Sequence, residues 1–157
     1  MKKFLTSLLI ILIFGAVNIA SAASQWNVDT KVSSNFAQEV LALVNVERAK
    51  EHLKPLKLSG SLNHYAQIRA KEITKKFAHT RPSGYSCFTV IPKPYRMVGE
   101  NIAAGQRSAS EVVTAWMNSP DHRANIMNPK FRELGMGYLY LEDSKYKHYW
   151  AQLFRTK

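Results

Sequence analysis

The chain has 157 residues, 46% hydrophobic and 21% charged, with a formal net charge of +11. Length and composition place it in the ordinary globular class, as one domain. Cys87 is the only cysteine, which excludes an internal disulfide.

Lys2 and Lys3 open the chain, and an apolar run from Phe4 to Val17 follows, broken only by Thr6, Ser7 and Gly15. The small-x-small site Ala20-Ser21-Ala22 comes next, the pattern of an export signal cleaved after Ala22. An uncleaved membrane anchor is the rival reading, but the run falls short of the roughly 20 apolar residues that span a bilayer. The expected organisation is a signal peptide over 1–22, a polar leader over 23–35 and a folded domain over 36–157. The expected location is periplasmic or fully secreted, with no stable membrane span after cleavage. Without Lys2 and Lys3 the formal charge falls from +11 to +9, which favours adhesion to polyanions. Outside the cell these are wall polymers, lipopolysaccharide, phospholipid headgroups or host glycans. Export argues against nucleic acid, and a basic surface that serves only solubility stands as the plain alternative.

From Phe36, apolar residues recur at helical spacing through Val40, Leu43 and Val44, predicting an amphipathic helix that ends before Pro55. Residues 24–34 show no such pattern. A second helix starts at Leu62 and carries Leu62, Ala66, Arg69, Ala70, Ile73 and Phe77 on one stripe, with Ser59 or Ser61 as cap. Arg69 stands out there: a charge on an apolar stripe must snorkel or meet a carboxylate. Residues 80–98, punctuated by Pro82, Gly84, Pro92 and Pro94, have no period and exceed the usual length of a structureless loop, which marks them as functional or disordered. A third helix opens at Ser108 with Glu111 completing a capping box, and Val112, Val113, Trp116 and Met117 face inward. Ser119-Pro120 begins a short fourth helix, with Ser119 as cap and Pro120 at its first position. Leu134–Leu141 and Tyr146–Phe154, joined by a polar turn, read as a hairpin. Helices first and a closing hairpin last imply an α+β layered domain.

Polar groups suited to chemistry sit at three points: His79 after the second helix, Glu100 in Gly99-Glu100-Asn101-Ile102-Ala103, and Asp121-His122-Arg123 in the short helix. Two imidazoles with one or two carboxylates can ligate zinc or perform acid–base work. Their spacing fits no compact metal signature, so spacing alone does not bring them together. Cys87 reads either as a nucleophile near a histidine or as a small buried hydrophobe, the second being favoured. His52, His64 and His148 read as solvated surface. Arg123 and Asn125 read as ties between the short helix and its neighbours.

Phe77-Ala78-His79-Thr80-Arg81-Pro82, Gly99-Glu100-Asn101-Ile102-Ala103 and the run from Trp116 to Met127 resemble three signature blocks of bacterial CAP domains. These share the fold of cysteine-rich secretory proteins, insect antigen 5 and plant pathogenesis-related 1 proteins. Leu43–Arg48 is similar to the family's first helix, and Tyr149–Phe154 to its last strand. The resemblance implies a three-layer α-β-α sandwich with a cleft lined by two histidines and two acidic residues. Carried over by position, these are His79, Glu100 and His122. The fourth, an acid in plant and animal relatives, falls on Ser119, with Asp121 or Glu111 as substitutes. Zinc on His79 and His122, with an open position for water, stays feasible without a full acidic set.

The resemblance implies a binding module for lipid, glycan or other envelope or extracellular material, acting through the cleft formed by His79, Glu100, Asp121 and His122. The alternative is a hydrolase in which His79 or His122 is the general base and Glu100 its orienter or acid, with or without a metal-bound water. No Ser occupies a nucleophile-elbow context, and no His-Glu-x-x-His helix exists. A third reading, adhesion by charge alone, needs no cleft.

Overall fold

A computed structural model describes residues 30–157. The predicted cleavage site after Ala22 lies outside the described residues, as does the leader up to position 29.

The first helix, α1 (Thr30–Lys50), starts ahead of Phe36 and so takes in positions read as patternless leader. A short strand β1 (Lys57–Leu58) leads into α2 (Gly60–Lys75). The 80–98 segment is built rather than structureless: a tight turn closed by the Thr80–Ser86 bridge, then a single 3-10 turn at Cys87–Val90. Strand β2 (Met97–Ala104) follows, then α3 (Ala109–Met117), α4 (Pro120–Ile126), β3 (Glu133–Tyr140) and β4 (His148–Thr156). The four strands form one sheet in the order β1-β3-β4-β2. The hairpin β3–β4 is antiparallel, β2 pairs antiparallel with β4, and β1 runs parallel to β3.

Strand alternation sorts the core into two layers. Leu134, Met136, Tyr138, Trp150 and Phe154 face α1, α3 and α4, joined there by Val40, Val44, Val112 and Trp116. On the other face, Leu139, Tyr149 and Ala151 meet Ala70 and Ile73 of α2, and Leu153 meets Leu62 and Ala66. The result is the expected three-layer α-β-α sandwich with a closing β-hairpin.

Glycine sets how closely α2 approaches the sheet. A Cβ on Gly137 would lie 2.2 Å from the Ala66 carbonyl carbon, and one on Gly135 would lie 2.4 Å from that of Leu62. Backbone therefore rests on backbone along two turns of α2. Every predicted stripe residue of α2 from Leu62 to Ile73 is buried. Phe77, beyond the helix end, is 52% exposed. Its exposure follows from the helix stopping at Lys75, which breaks the period before the stripe reaches it.

Caps hold where they involve backbone and differ where side chains found other partners. Ser108 Oγ accepts from the Glu111 N–H at 3.2 Å, but the Glu111 carboxylate accepts from Arg107 N–H instead of completing the box at Ser108. Ser59 and Ser119 occupy cap positions without a side-chain cap bond.

Candidate functional site

Strand β2 is an edge of the sheet, paired only with β4. Its alternation sends Glu100 toward α2 and Asn101 toward α4, so groups from both outer layers can meet over this edge. The Gly99–Ala103 block is thus mid-strand, and Glu100 gains a rigid support.

Glu100 is buried, and its charge is met by Arg69, a fully buried residue of α2. Arg69 Nε donates to Glu100 Oε2 at 2.6 Å and Nη2 donates to Oε1 at 3.3 Å. Arg69 Nη2 also donates to the Ala78 carbonyl at 2.8 Å, pinning the chain just before His79. Its Nη1 donates to Glu72 Oε2 at 2.6 Å, and Arg81 donates to Glu72 Oε1 through Nε at 2.8 Å and Nη2 at 2.6 Å. The charge on the apolar stripe is therefore the centre of a relay, His79–Glu100–Arg69–Glu72–Arg81. Burial alone would raise the Glu100 carboxyl, but hydrogen bonds from His79 and Arg69 and the Arg69 charge hold it below the usual carboxylate range.

His79 Nδ1 lies 2.8 Å from Glu100 Oε1. A carboxylate can only accept, so the neutral ring keeps its proton on Nδ1 and its lone pair on Nε2. The His79 side chain is 57% exposed, while its Glu100 partner is 1% exposed. One side of the ring is tethered and the other is open.

His122 comes from the opposite layer, in the first turns of α4. Its Nδ1 lies 2.9 Å from Ser119 Oγ, which explains why that hydroxyl does not cap the helix. The His122 carbonyl accepts from Asn101 Nδ2 at 3.1 Å. Asn125 Nδ2 donates to the Glu100 carbonyl at 3.2 Å and to Asn101 Oδ1 at 2.9 Å, the tie its position suggested. Burial, and then the positive charge of His79, lower the His122 pKa against the opposing pull of Asp121. The two imidazoles are thus within electrostatic reach of each other. Asp121 is exposed, and no ion pair among the described residues includes it. Glu111 stays a helix-start residue, bonded to Arg107 N–H.

Cys87 is buried, as expected, but at the foot of the site. Its N–H donates to the His79 carbonyl at 3.0 Å. Burial, then the Glu100 charge, push its thiol up to about 12. It is protonated at neutral pH and lacks the thiolate that a nucleophile needs.

Ligand atoms of His79, Cys87 and Glu100 lie within 4.8 Å of one another, and no other such trio exists among the described residues. The distances suit an ion, but the charges do not. Glu100 already neutralises Arg69, and a cation there would sit against a buried guanidinium beside a thiol that resists ionisation. His122 belongs to no such group among the described residues. The donor set does not make a closed zinc site.

Sequence reasoning did not assign Arg69, Glu72 or Cys87 to the site, though the charge of Arg69 on a buried stripe was the usable signal. His148, read as solvated, is half-buried and pairs through Nδ1 with the Tyr138 hydroxyl at 2.8 Å, because β4 carries it along the hairpin.

The model of the cysteine-rich secretory protein family, CAP, matches residues 41–154. The chain belongs to this family. The CAP domain is 38% identical over 127 residues to the uncharacterized protein YkwD of Bacillus subtilis, covering 76% of this chain and 49% of that protein. It therefore spans about half the length of that relative. Among solved structures, an extracellular protein containing an SCP domain from Bacillus anthracis aligns with a TM-score of 0.71 at 24% identity, over 82% of this chain and 42% of its own. An outer surface protein from Borrelia burgdorferi aligns with a TM-score of 0.70 at 22% identity, over 83% of this chain and 96% of its own. At these identities both establish the CAP fold alone. No helix among the described residues is long and apolar enough to cross a membrane.

Proposed function

We propose that this CAP domain is an exported binding module that engages lipid, glycan or other polyanionic envelope material through the cleft between His79 and His122. The observation that carries the reading is the state of Glu100. Its carboxylate is buried, held ionised, and engaged on both oxygens by Arg69 and His79. A group so fixed orients an imidazole and does not shuttle protons. The cleft then presents the open His79 Nε2, a hydrogen-bond acceptor when neutral and a donor when charged, opposite His122. The extracellular and outer-surface descriptions of the two aligned structures support export, as do the basic charge and the leader pattern. Cosedimentation of the mature protein with phosphatidylglycerol vesicles and retention on heparin test the reading. His79→Gln is expected to weaken whichever interaction uses the cleft while leaving the fold intact. Equal binding by the variant to both probes refutes the cleft as the contact.

One observation favours the hydrolase alternative: a carboxylate-oriented imidazole with a free Nε2 is the arrangement of a general base. In that case His79→Gln abolishes turnover of an ester or amide substrate while ligand binding persists. A binding module has no turnover to lose. Zinc enters neither scheme as a required step, because the residues present do not close a site around it.

A further inference from the structure

The outer face of α2 carries a second recess, whose lining includes neither imidazole. Ile68, Lys71, Glu72 and Lys75 fall at i, i+3, i+4 and i+7 and line up along the helix, opposite its buried stripe. Arg81 and Pro82 of the tight turn close the other wall, leaving a groove of about 420 Å³. That volume is in the range of small-ligand sites.

The charges in this groove are unbalanced. Glu72 is its one acid, and both oxygens are occupied by Arg69 and Arg81 at 2.6 Å. Lys71 and Lys75 form no ion pair among the described residues. They sit four residues apart on one helix, where like charges repel and weaken the helix. Two unpaired ammonium groups therefore project beside an apolar wall of Ile68 and Pro82. The turn that forms the wall is held by the Arg81–Glu72 fork and by Gly84, whose φ of +88° only glycine adopts freely. The wall is thus a fixed surface.

We propose that this groove is a binding site for a phosphate or carboxylate anion carrying a short apolar chain. The anion sits between Lys71 and Lys75, and the chain lies along Ile68 and Pro82. Lysine suits it as a mobile point charge, whereas the guanidinium of Arg81 is already committed to Glu72. The proposal deepens the envelope-binding reading and rests on it for biological sense, but occupies residues that the His79–His122 cleft does not use.

Calorimetry of the mature protein with decyl phosphate below its micelle concentration, and with inorganic phosphate, tests it. Decyl phosphate is expected to bind with one site and more tightly than inorganic phosphate, because only it reaches the apolar wall. Lys71→Gln/Lys75→Gln is expected to weaken decyl phosphate about tenfold, the order expected for lost charge-assisted contacts. The exposed pair Lys54→Gln/Lys57→Gln removes the same charge elsewhere and should leave the affinity nearly unchanged. Equal losses in both pairs would mean that net charge alone attracts the anion and would overturn the site. Equal affinity for the two ligands would overturn the apolar wall. His79→Gln separates the two readings: it should leave decyl phosphate binding intact even where it weakens envelope binding. Loss of decyl phosphate binding in that variant would place the anion in the cleft and refute the groove.

Discussion

Arg69 is where one residue decides most. Truncating one partner of a buried pair leaves the other charge uncompensated, at a cost of about 3–5 kcal/mol. Arg69→Ala should lower stability by that order in urea denaturation. Arg69→Met combined with Glu100→Gln should recover part of the loss, since neither charge then remains buried alone. The same carboxylates set the acid response. Glu100 and Glu72 have folded pKa values below their ordinary ones, against the opposing effect of burial, through bonds from His79 and Arg69 and from Arg81 and Arg69 respectively. A depressed folded pKa contributes stability that is complete above the unfolded carboxylate value and is lost as pH falls through the folded one. The midpoint of urea unfolding should therefore hold steady down to about pH 5 and decline below it, and the decline should be shallower in the Arg69→Met/Glu100→Gln protein. His122 gives a second, independent reading. Its pKa is lowered by burial and then by the His79 charge, so NMR titration of its ring should rise toward the ordinary value in His79→Gln. An unchanged titration would mean that the two rings do not share a cleft.

At the scale of elements, the contact of α2 with β3 has no slack. The Ala66 backbone occupies the place a Gly137 side chain would take, and overpacking a tight interior costs about 1–3 kcal/mol. Gly137→Ala should lie at or above the top of that range by urea denaturation. Gly99→Ala should cost less: its Cβ would meet the ring edge of Phe131 at 2.9 Å and the Asn125 side chain at 3.0 Å, both able to shift. That shift, however, would disturb the Asn125 bond to the Glu100 carbonyl and with it the register of α4 over the edge strand. In the third helix, Ser108→Ala removes the one side-chain cap bond and should cost about 1 kcal/mol.

For the whole molecule, charge and metal are the two global variables. The excess of cations acts over about 10 Å at 0.1 M salt, so retention on heparin should fall steeply as salt rises if the basic surface is used in binding. Retention that does not depend on salt would leave the charge as a solubility trait. Because Arg69 already balances the buried carboxylate, treatment with EDTA should leave the thermal midpoint unchanged, and added zinc should raise it little. A large rise that His79→Ala removes would show that the imidazole escapes Glu100 to ligate metal.

Local periodicity determined the helices and the closing hairpin. Leu62, Ala66, Ala70 and Ile73 announce the face of α2, because a helix against a sheet must bury one side, and the Tyr- and Leu-rich run Leu134–Leu141 ahead of a polar turn announces β3. The three sequence blocks around His79, Glu100 and His122 identified the family. Strand β2 was not legible: Gly99-Glu100-Asn101 is polar on both faces, and its strand character comes from pairing with β4, far along the chain. Nor could the sequence choose between snorkelling and pairing for Arg69. Its partner is a residue 31 positions away, brought within 2.6 Å only when α2 packs on the sheet and β2 takes the edge. Ser119, read as a helix cap, serves His122 instead, because a hydroxyl bonds to whatever the fold places beside it. What one segment buries is written in that segment; what two distant polar groups do to each other depends on which layers the tertiary structure stacks across the edge of β2.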